Sequence, residues 1–365
     1  MDTFPRKLDI YIMKKFIMTF FIALVLIIGI VIIFDISEKV DDFVEHHVTL
    51  YSIIFDYYLN FIPYFMNMFS PLFVFITVIF FTSRMAANSE IVAILSCGVS
   101  FHRMMVPYMV SAFLIALLSL GLNLWIIPGA NKERNEFESK YIRYHDNKTA
   151  TDNVHYQISP GQFVFVRNYN KINKTAYNFT LETIEGNRIV SKLSAESAAW
   201  DSTMGGWHLK KWFIRDYAEQ SIHDRVRCGA KLDTVISLTD VDFTRRKDNV
   251  QSMQLDELNE FIAMQEMRGD ATVQNSLVEW HNRFAMPFSA FILTILGVSL
   301  SSKKKRGGIG WNLAIGIGLS FTYILFMKFS QMFVATGTFP PWLAIWLPNM
   351  VFTLVAAFLY KIAPK

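Results

Sequence analysis

Long uncharged apolar runs alternate with polar stretches along this chain, and that alternation predicts its architecture. Six runs contain no Asp, Glu, Lys or Arg: Phe16 to Phe34, Tyr57 to Ser83, Met104 to Ile127, Phe284 to Leu300, Ile309 to Met327 and Trp342 to Tyr360. A helix rises about 1.5 Å per residue, so roughly 20 apolar residues cross a hydrocarbon core of about 30 Å. Each run therefore predicts a membrane-spanning helix. The first run is too long for the apolar stretch of a secretory signal, and Phe34-Asp35-Ile36 offers no small-residue cleavage site. It reads as a retained span. The second run holds two prolines, Pro63 and Pro71, and two amides, Asn60 and Asn67. A proline removes a backbone donor, so this span is expected to kink and to face protein or a cavity.

Between the third and fourth runs the period changes. From about Asn153 to Phe243, short apolar stretches recur with turn signals roughly every ten residues, the spacing of an antiparallel β-domain. Gln162 to Arg167 reads as a buried strand. Phe179 to Ile184 and Arg188 to Leu193 read as a pair turned at Glu185-Gly186-Asn187, and Gly205-Gly206 separates Trp200 from Trp207. The expected fold class is a polytopic α-helical membrane protein with six transmembrane helices and an antiparallel β-sandwich or β-jelly-roll domain inserted between helices 3 and 4. The corresponding division is 1–128 for the first three spans, 129–275 for the β-domain and 276–365 for the last three. Met253 to Arg268 carries Leu255, Leu258, Phe261 and Ile262 at helical spacing, with Gly269 to stop it.

Composition agrees with this partition. Charged residues are 18% of the chain against 52% apolar, where a soluble domain carries about 25% charged. The basic residues are placed asymmetrically. Arg6, Lys7, Lys14, Lys15, Arg84, Arg103, Lys303, Lys304, Lys305, Arg306, Lys361 and Lys365 flank one side of the predicted spans. Lys39 alone lies in the short loops of the other side. Basic flanks stay in the cytoplasm, so both termini are expected there and the β-domain is expected outside. Cys97 and Cys228 then fall on opposite sides and cannot pair. The net charge of +4 is too dispersed to signal nucleic acid.

Catalytic and cofactor motifs are missing. There is no phosphate-binding glycine loop, no HExxH and no Cys/His metal spacing, and His46-His47 read as a loop pair. Neither a catalytic residue nor a metal ligand is expected, and any ATP must be bound by another chain. The segment Arg84 to Arg103 is more informative. It predicts a short helix capped near Asn88 or Ser89, bearing Glu90, Ile91, Ala93 and Ile94, stopped at Gly98, with Ser100 capping the next helix. An acidic residue beside a small apolar patch suits docking to a basic groove. A helix lying on the membrane surface, with Glu90 favouring its N-terminal dipole, is the plainer alternative.

Several segments resemble the lipopolysaccharide export permeases of the LptF/LptG family. They are LDIYIMKKF at Leu8 to Phe16, SEIVAILSCGVS at Ser89 to Ser100, EWHNRFAMP at Glu279 to Pro287, Arg306-Gly-Gly308, Asn312 to Gly318, and GTFPPWLAIWLPN at Gly337 to Asn349. The last run leans toward the LptG type. The resemblance implies a non-enzymatic permease that pairs with a homologous permease and is powered by a cytoplasmic ATPase dimer. It implies extraction of lipopolysaccharide and its transfer through the β-domain to a periplasmic bridge protein. It also implies that the 84–100 segment is the coupling helix, with Glu90 as the ionic contact and Ala93 and Gly98 beside it. Bases near the outer ends of spans one and three hold lipid phosphates in that family, and Lys39, Lys132 and Arg134 occupy those regions here. Lys328 lies inside the fifth span, where a charge is costly unless it faces a cavity, pairs or snorkels. A secondary transporter or a membrane assembly protein remains the alternative function.

Overall fold

The computed structural model of the chain describes residues 7–142 and 151–363, apart from 172, 187, 218–223, 237, 241–242, 244–246, 271 and 303–307. The bases Arg6, Lys365 and the cluster Lys303 to Arg306 lie outside the described residues. Six helices are long and apolar enough to cross a membrane, in the order the sequence predicts. They are α1 (Lys7–Glu45), α2 (Leu50–Ala87), α4 (Phe101–Tyr141), α6 (Val273–Ser301), α7 (Gly308–Ala335) and α8 (Pro341–Ile362). A short helix, α3 (Glu90–Ser96), lies between α2 and α4, and α5 (Leu255–Met267) precedes α6. Most helices outrun the uncharged stretches that predict them, because charges at helix ends leave the backbone ladder intact. Thus α1 carries on through Asp35, Lys39 and Asp42, and α6 starts eleven residues before Phe284.

The helical unit packs around two apolar clusters. On α1, Ile12, Phe16, Phe20, Leu24 and Ile28 are buried at spacing four, one stripe of a helix. Phe16 meets Phe81 of α2 at 5.8 Å, and Phe81 stacks on Tyr108 of α4 at 5.2 Å. The second cluster joins Phe75 and Ile79 of α2, Leu293 and Leu296 of α6, Tyr323 of α7 and Phe352 of α8. Glycines bring these helices close. A Cβ at Gly316 would lie 2.3 Å from Ile79 Cδ1, and one at Gly297 would lie 2.9 Å from Val78 Cγ1. Such small-residue contacts let backbones approach where lipid gives no hydrophobic drive.

The second unit, Glu136–Val250 with Asp256–Val273, is built on one antiparallel sheet. Its strands are β1 (Thr151–Ser159), β2 (Gln162–Asn170), β3 (Thr175–Glu185), β4 (Arg188–Asp201), β5 (Gly206–Asp216) and β6 (Arg225–Thr234). They neighbour one another in chain order, so among the described residues the antiparallel β-domain is a meander. The turn signals explain this. Gly161, Gly186 and Gly205 all take positive φ, and each closes a hairpin that returns the chain beside the strand it left. The core gathers Tyr169, Phe179 and Trp207 with Leu238 and Phe243, and Trp207 Nε1 donates to the Leu238 carbonyl at 2.7 Å. At the β4–β5–β6 edge, His208 bridges Asp201 and Asp233. These bonds, to Asp233 first, raise the imidazole pKa above its ordinary value. Hydrogen bonds from Thr203 and His208 lower that of Asp201.

Candidate functional site

The α2–α4 connection forms where the sequence turns from apolar to small and polar. Ser89 stands at the N-cap of α3 in the left-handed region (φ 62°), and its hydroxyl makes no capping bond. The expected side-chain cap is thus absent, since a left-handed N-cap departs from the extended backbone that aims a hydroxyl at the first turn. Gly98 (φ 82°) ends the segment, and the Ser100 hydroxyl accepts from the Arg103 N–H, capping α4 as expected. α3 has two faces. Ile91 is buried in the cluster with Met85 and Phe101, whereas Val92, Ala93, Ser96, Cys97 and Gly98 are exposed. Glu90 is held between them: the Tyr11 hydroxyl donates to Oε2 at 3.1 Å and the Asn88 amide to Oε1 at 3.3 Å.

A second contact secures this corner. Arg103 donates through Nη1 and Nη2 to the two oxygens of Asp9, at 2.7 and 2.6 Å. The Asp9 side chain is 2% exposed and that of Arg103 26%. A bidentate fork of this kind fixes direction as well as distance. It ties the start of α1 to the start of α4, with the Glu90 contact two residues away on Tyr11. In the sequence alone Arg103 stands out only as a topological charge, and no motif marks Asp9 for a role. Spacing could not reveal a pair 94 residues apart; the one available signal was an acid just ahead of an apolar run.

The four basic residues proposed for lipid contact sit in different settings. Lys39 is already engaged: its ammonium lies 2.9 Å from Asp35 Oδ1, contacts the Tyr57 hydroxyl and sits 4.7 Å above the Tyr57 ring. Tyr57 and Tyr58 both donate to Asp35, at 3.3 and 3.0 Å. Neighbouring residues share a target here because Ile53–Tyr58 is a π-helical turn, whose extra residue resets the helical face. The Arg134 guanidinium lies 5.0 Å from the Tyr64 ring. Tyr57 and Tyr64 are seven residues apart on α2, so Lys39 and Arg134 rest about 10 Å apart along one helix. Lys132 is exposed. Lys328 is also exposed, on α7, and its charge acts on Glu279 of α6, which pairs with the buried Arg283 at 3.4 Å.

Inside the bundle, the amides that made the second span unusual have partners. Asn67 donates to Asn123 Oδ1 at 2.8 Å and accepts from the Ser119 hydroxyl at 2.6 Å, while Asn123 donates to the Arg283 carbonyl at 3.4 Å. Asn123 belongs to a second π-helical turn, Leu122–Ile126. The network joins α2, α4 and α6 at the place where Pro71, four residues after Asn67, disturbs the ladder. Asn60 instead donates to the Asp56 carbonyl of its own helix at 2.9 Å.

No curated protein matches this chain. A family model, that of the lipopolysaccharide export system permease LptF/LptG, matches residues 10–362, nearly the whole chain. With its six spans and inserted antiparallel sheet, the chain belongs to the LptF/LptG family of lipopolysaccharide export permeases.

Proposed function

We propose that this multi-pass permease is one half of an ATP-driven exporter that extracts lipopolysaccharide from the outer leaflet of the inner membrane. A homologous permease is its pair, a cytoplasmic ATPase dimer its motor and a periplasmic bridge protein its outlet. The basic flanks support an orientation with both termini in the cytoplasm and the β-domain in the periplasm, where it passes the lipid on. The proposal keeps the division into 1–128, 129–275 and 276–365, which rests on the apolar and strand patterns of the sequence.

One observation carries the reading: α3 buries Ile91 and turns a small apolar face outward beside a carboxylate held by Tyr11 and Asn88. The exposed strip of Val92, Ala93 and Gly98 admits close approach of a partner, and Glu90 supplies a charge for a basic groove. Force arriving at α3 reaches α1 through Tyr11 and through the Asp9–Arg103 fork. The first and fifth spans, α1 and α7, have the least buried apolar windows of the six, 22% and 28%, which supports their use as the faces that meet the paired permease and the lipid. Lys39, Lys132, Arg134 and Lys328 are the cations proposed for the lipid phosphates. Lys39 would exchange its Asp35 partner for phosphate.

Replacing Glu90 by Ala tests the reading. The expected result is weaker retention of the ATPase and reduced lipopolysaccharide release, with membrane insertion unchanged. Undiminished association and transport would refute the coupling role.

A further inference from the structure

The helical unit has a groove unrelated to α3 and to the four cations above. It has a volume of about 780 Å³ and lies between α4 and α8, over α6. Val106 and Phe113 of α4, Ile295 of α6 and Ala357 of α8 line it, with His102 and Tyr360 at one end and no acidic residue among the lining side chains. Val106, Phe113 and Ala357 are exposed, so it opens sideways toward whatever surrounds the spans.

From this we infer a binding site for a diacyl phospholipid with an anionic headgroup, in the leaflet where α4 begins and α8 ends. Three features support the assignment. The first is length: His102 to Phe113 is eleven residues, about 16 Å of helix and close to half of a 30 Å hydrocarbon core. The groove therefore covers one leaflet. The second is volume. A methylene is close in size to a water molecule, at roughly 30 Å³, so the space takes about 26 methylenes, the order of two acyl chains. Water has no partners along such walls, so hydrocarbon fills it.

The third feature is the polar end. His102 is exposed and hydrogen-bonded to the Tyr360 hydroxyl, and Lys361, next in the chain, is exposed at the same helix end. The start of α4, where the Ser100 hydroxyl takes the Arg103 N–H, is also the positive end of the helix dipole, which favours an anion. A phosphate headgroup there meets cationic and donor groups, while its chains lie along Val106 and Phe113. Calling this leaflet cytoplasmic rests on the orientation proposed above; the site itself does not.

The test uses the assembled, delipidated permease complex in mild detergent, titrated with phosphatidylglycerol or chain-matched phosphatidylcholine and followed by native mass spectrometry. Wild type is expected to retain phosphatidylglycerol over phosphatidylcholine, and Lys361→Ala to cut that preference roughly fivefold, the effect of one surface cation. Ala357→Trp fills the groove and should abolish one retained lipid, and Val106→Trp should do the same if the first variant fails to assemble. Wild-type retention in both tryptophan variants, or equal retention of the two lipids by wild type, overturns the site. So does a stoichiometric protein adduct from a photo-crosslinker at Val106, which would assign the groove to a partner helix. Labelling of Cys97 by an impermeant maleimide from the periplasmic side would overturn the orientation alone, while lipid retention would still decide the site.

Discussion

Removing the Arg103 side chain takes two charged donors from a buried carboxylate. In Arg103→Ala, Asp9, at 2% side-chain exposure, loses two donors at 2.6 and 2.7 Å. Breaking a buried pair from this side costs about 3–5 kcal/mol. The reverse change, Asp9→Ala, leaves a guanidinium whose side chain is 26% exposed at a helix start. It can turn to the interface on its long stem, so the loss is nearer that of charge-assisted hydrogen bonds, about 1.5–3 kcal/mol. Asp9→Asn combined with Arg103→Ala should recover part of the deficit, because a neutral amide is cheaper to bury than a carboxylate. The assay is reversible unfolding in mixed micelles by added SDS, with transport measured in parallel. Arg103→Ala should be the least stable, Asp9→Ala intermediate and the double variant above Arg103→Ala. Equal losses for the two single variants, or a loss under about 1 kcal/mol for Arg103→Ala, would refute the buried-carboxylate reasoning.

Three further outcomes follow. Gly316→Val places a Cβ where Ile79 Cδ1 lies 2.3 Å away, so micelle unfolding should show a loss of about 1–3 kcal/mol that Ile79→Ala partly restores. His208 stabilises the β4–β6 edge fully below its ordinary pKa of 6.5, and this stabilisation is lost as pH rises through its raised folded value. Asp201 contributes above 3.8 and loses that contribution as pH falls through its lowered folded value. Protection factors for hydrogen exchange in β4–β6, with intrinsic amide exchange divided out, should therefore be highest between about pH 4 and 6.5, and His208→Ala should flatten their alkaline fall. Lys328→Glu should weaken lipopolysaccharide crosslinking to α7, whereas wild-type yield would mean the ammonium only reaches the membrane surface.

The spans were legible because crossing hydrocarbon demands length and excludes charge, and both properties are local in sequence. The hairpins were legible for a similar reason: Gly186 and Gly205 sit where turns require positive φ. Helix ends were less so. Asp35 and Lys39 mark the end of an apolar run, yet the helix continues to Glu45, its backbone ladder intact and the two residues set as an i, i+4 pair. The π-helical turns left no trace in the hydrophobic pattern, although they aim Tyr57, Tyr58 and Asn123. Ser89 was read as a cap from its type, and only the backbone shows it in the left-handed region. The Asp9–Arg103 fork and the Asn67–Ser119–Asn123 network join residues far apart in the chain, which spacing rules cannot detect.

The central claim is that α3 is where an external ATPase drives this permease. The direct measurement places a photo-crosslinker at Val92, on the exposed face of α3, in intact cells. It then identifies the adduct with and without Glu90→Ala. The expected result is an adduct to a cytoplasmic ATPase subunit that falls sharply in the Glu90 variant along with lipopolysaccharide release. An adduct to lipid alone, unchanged by Glu90→Ala, would contradict it.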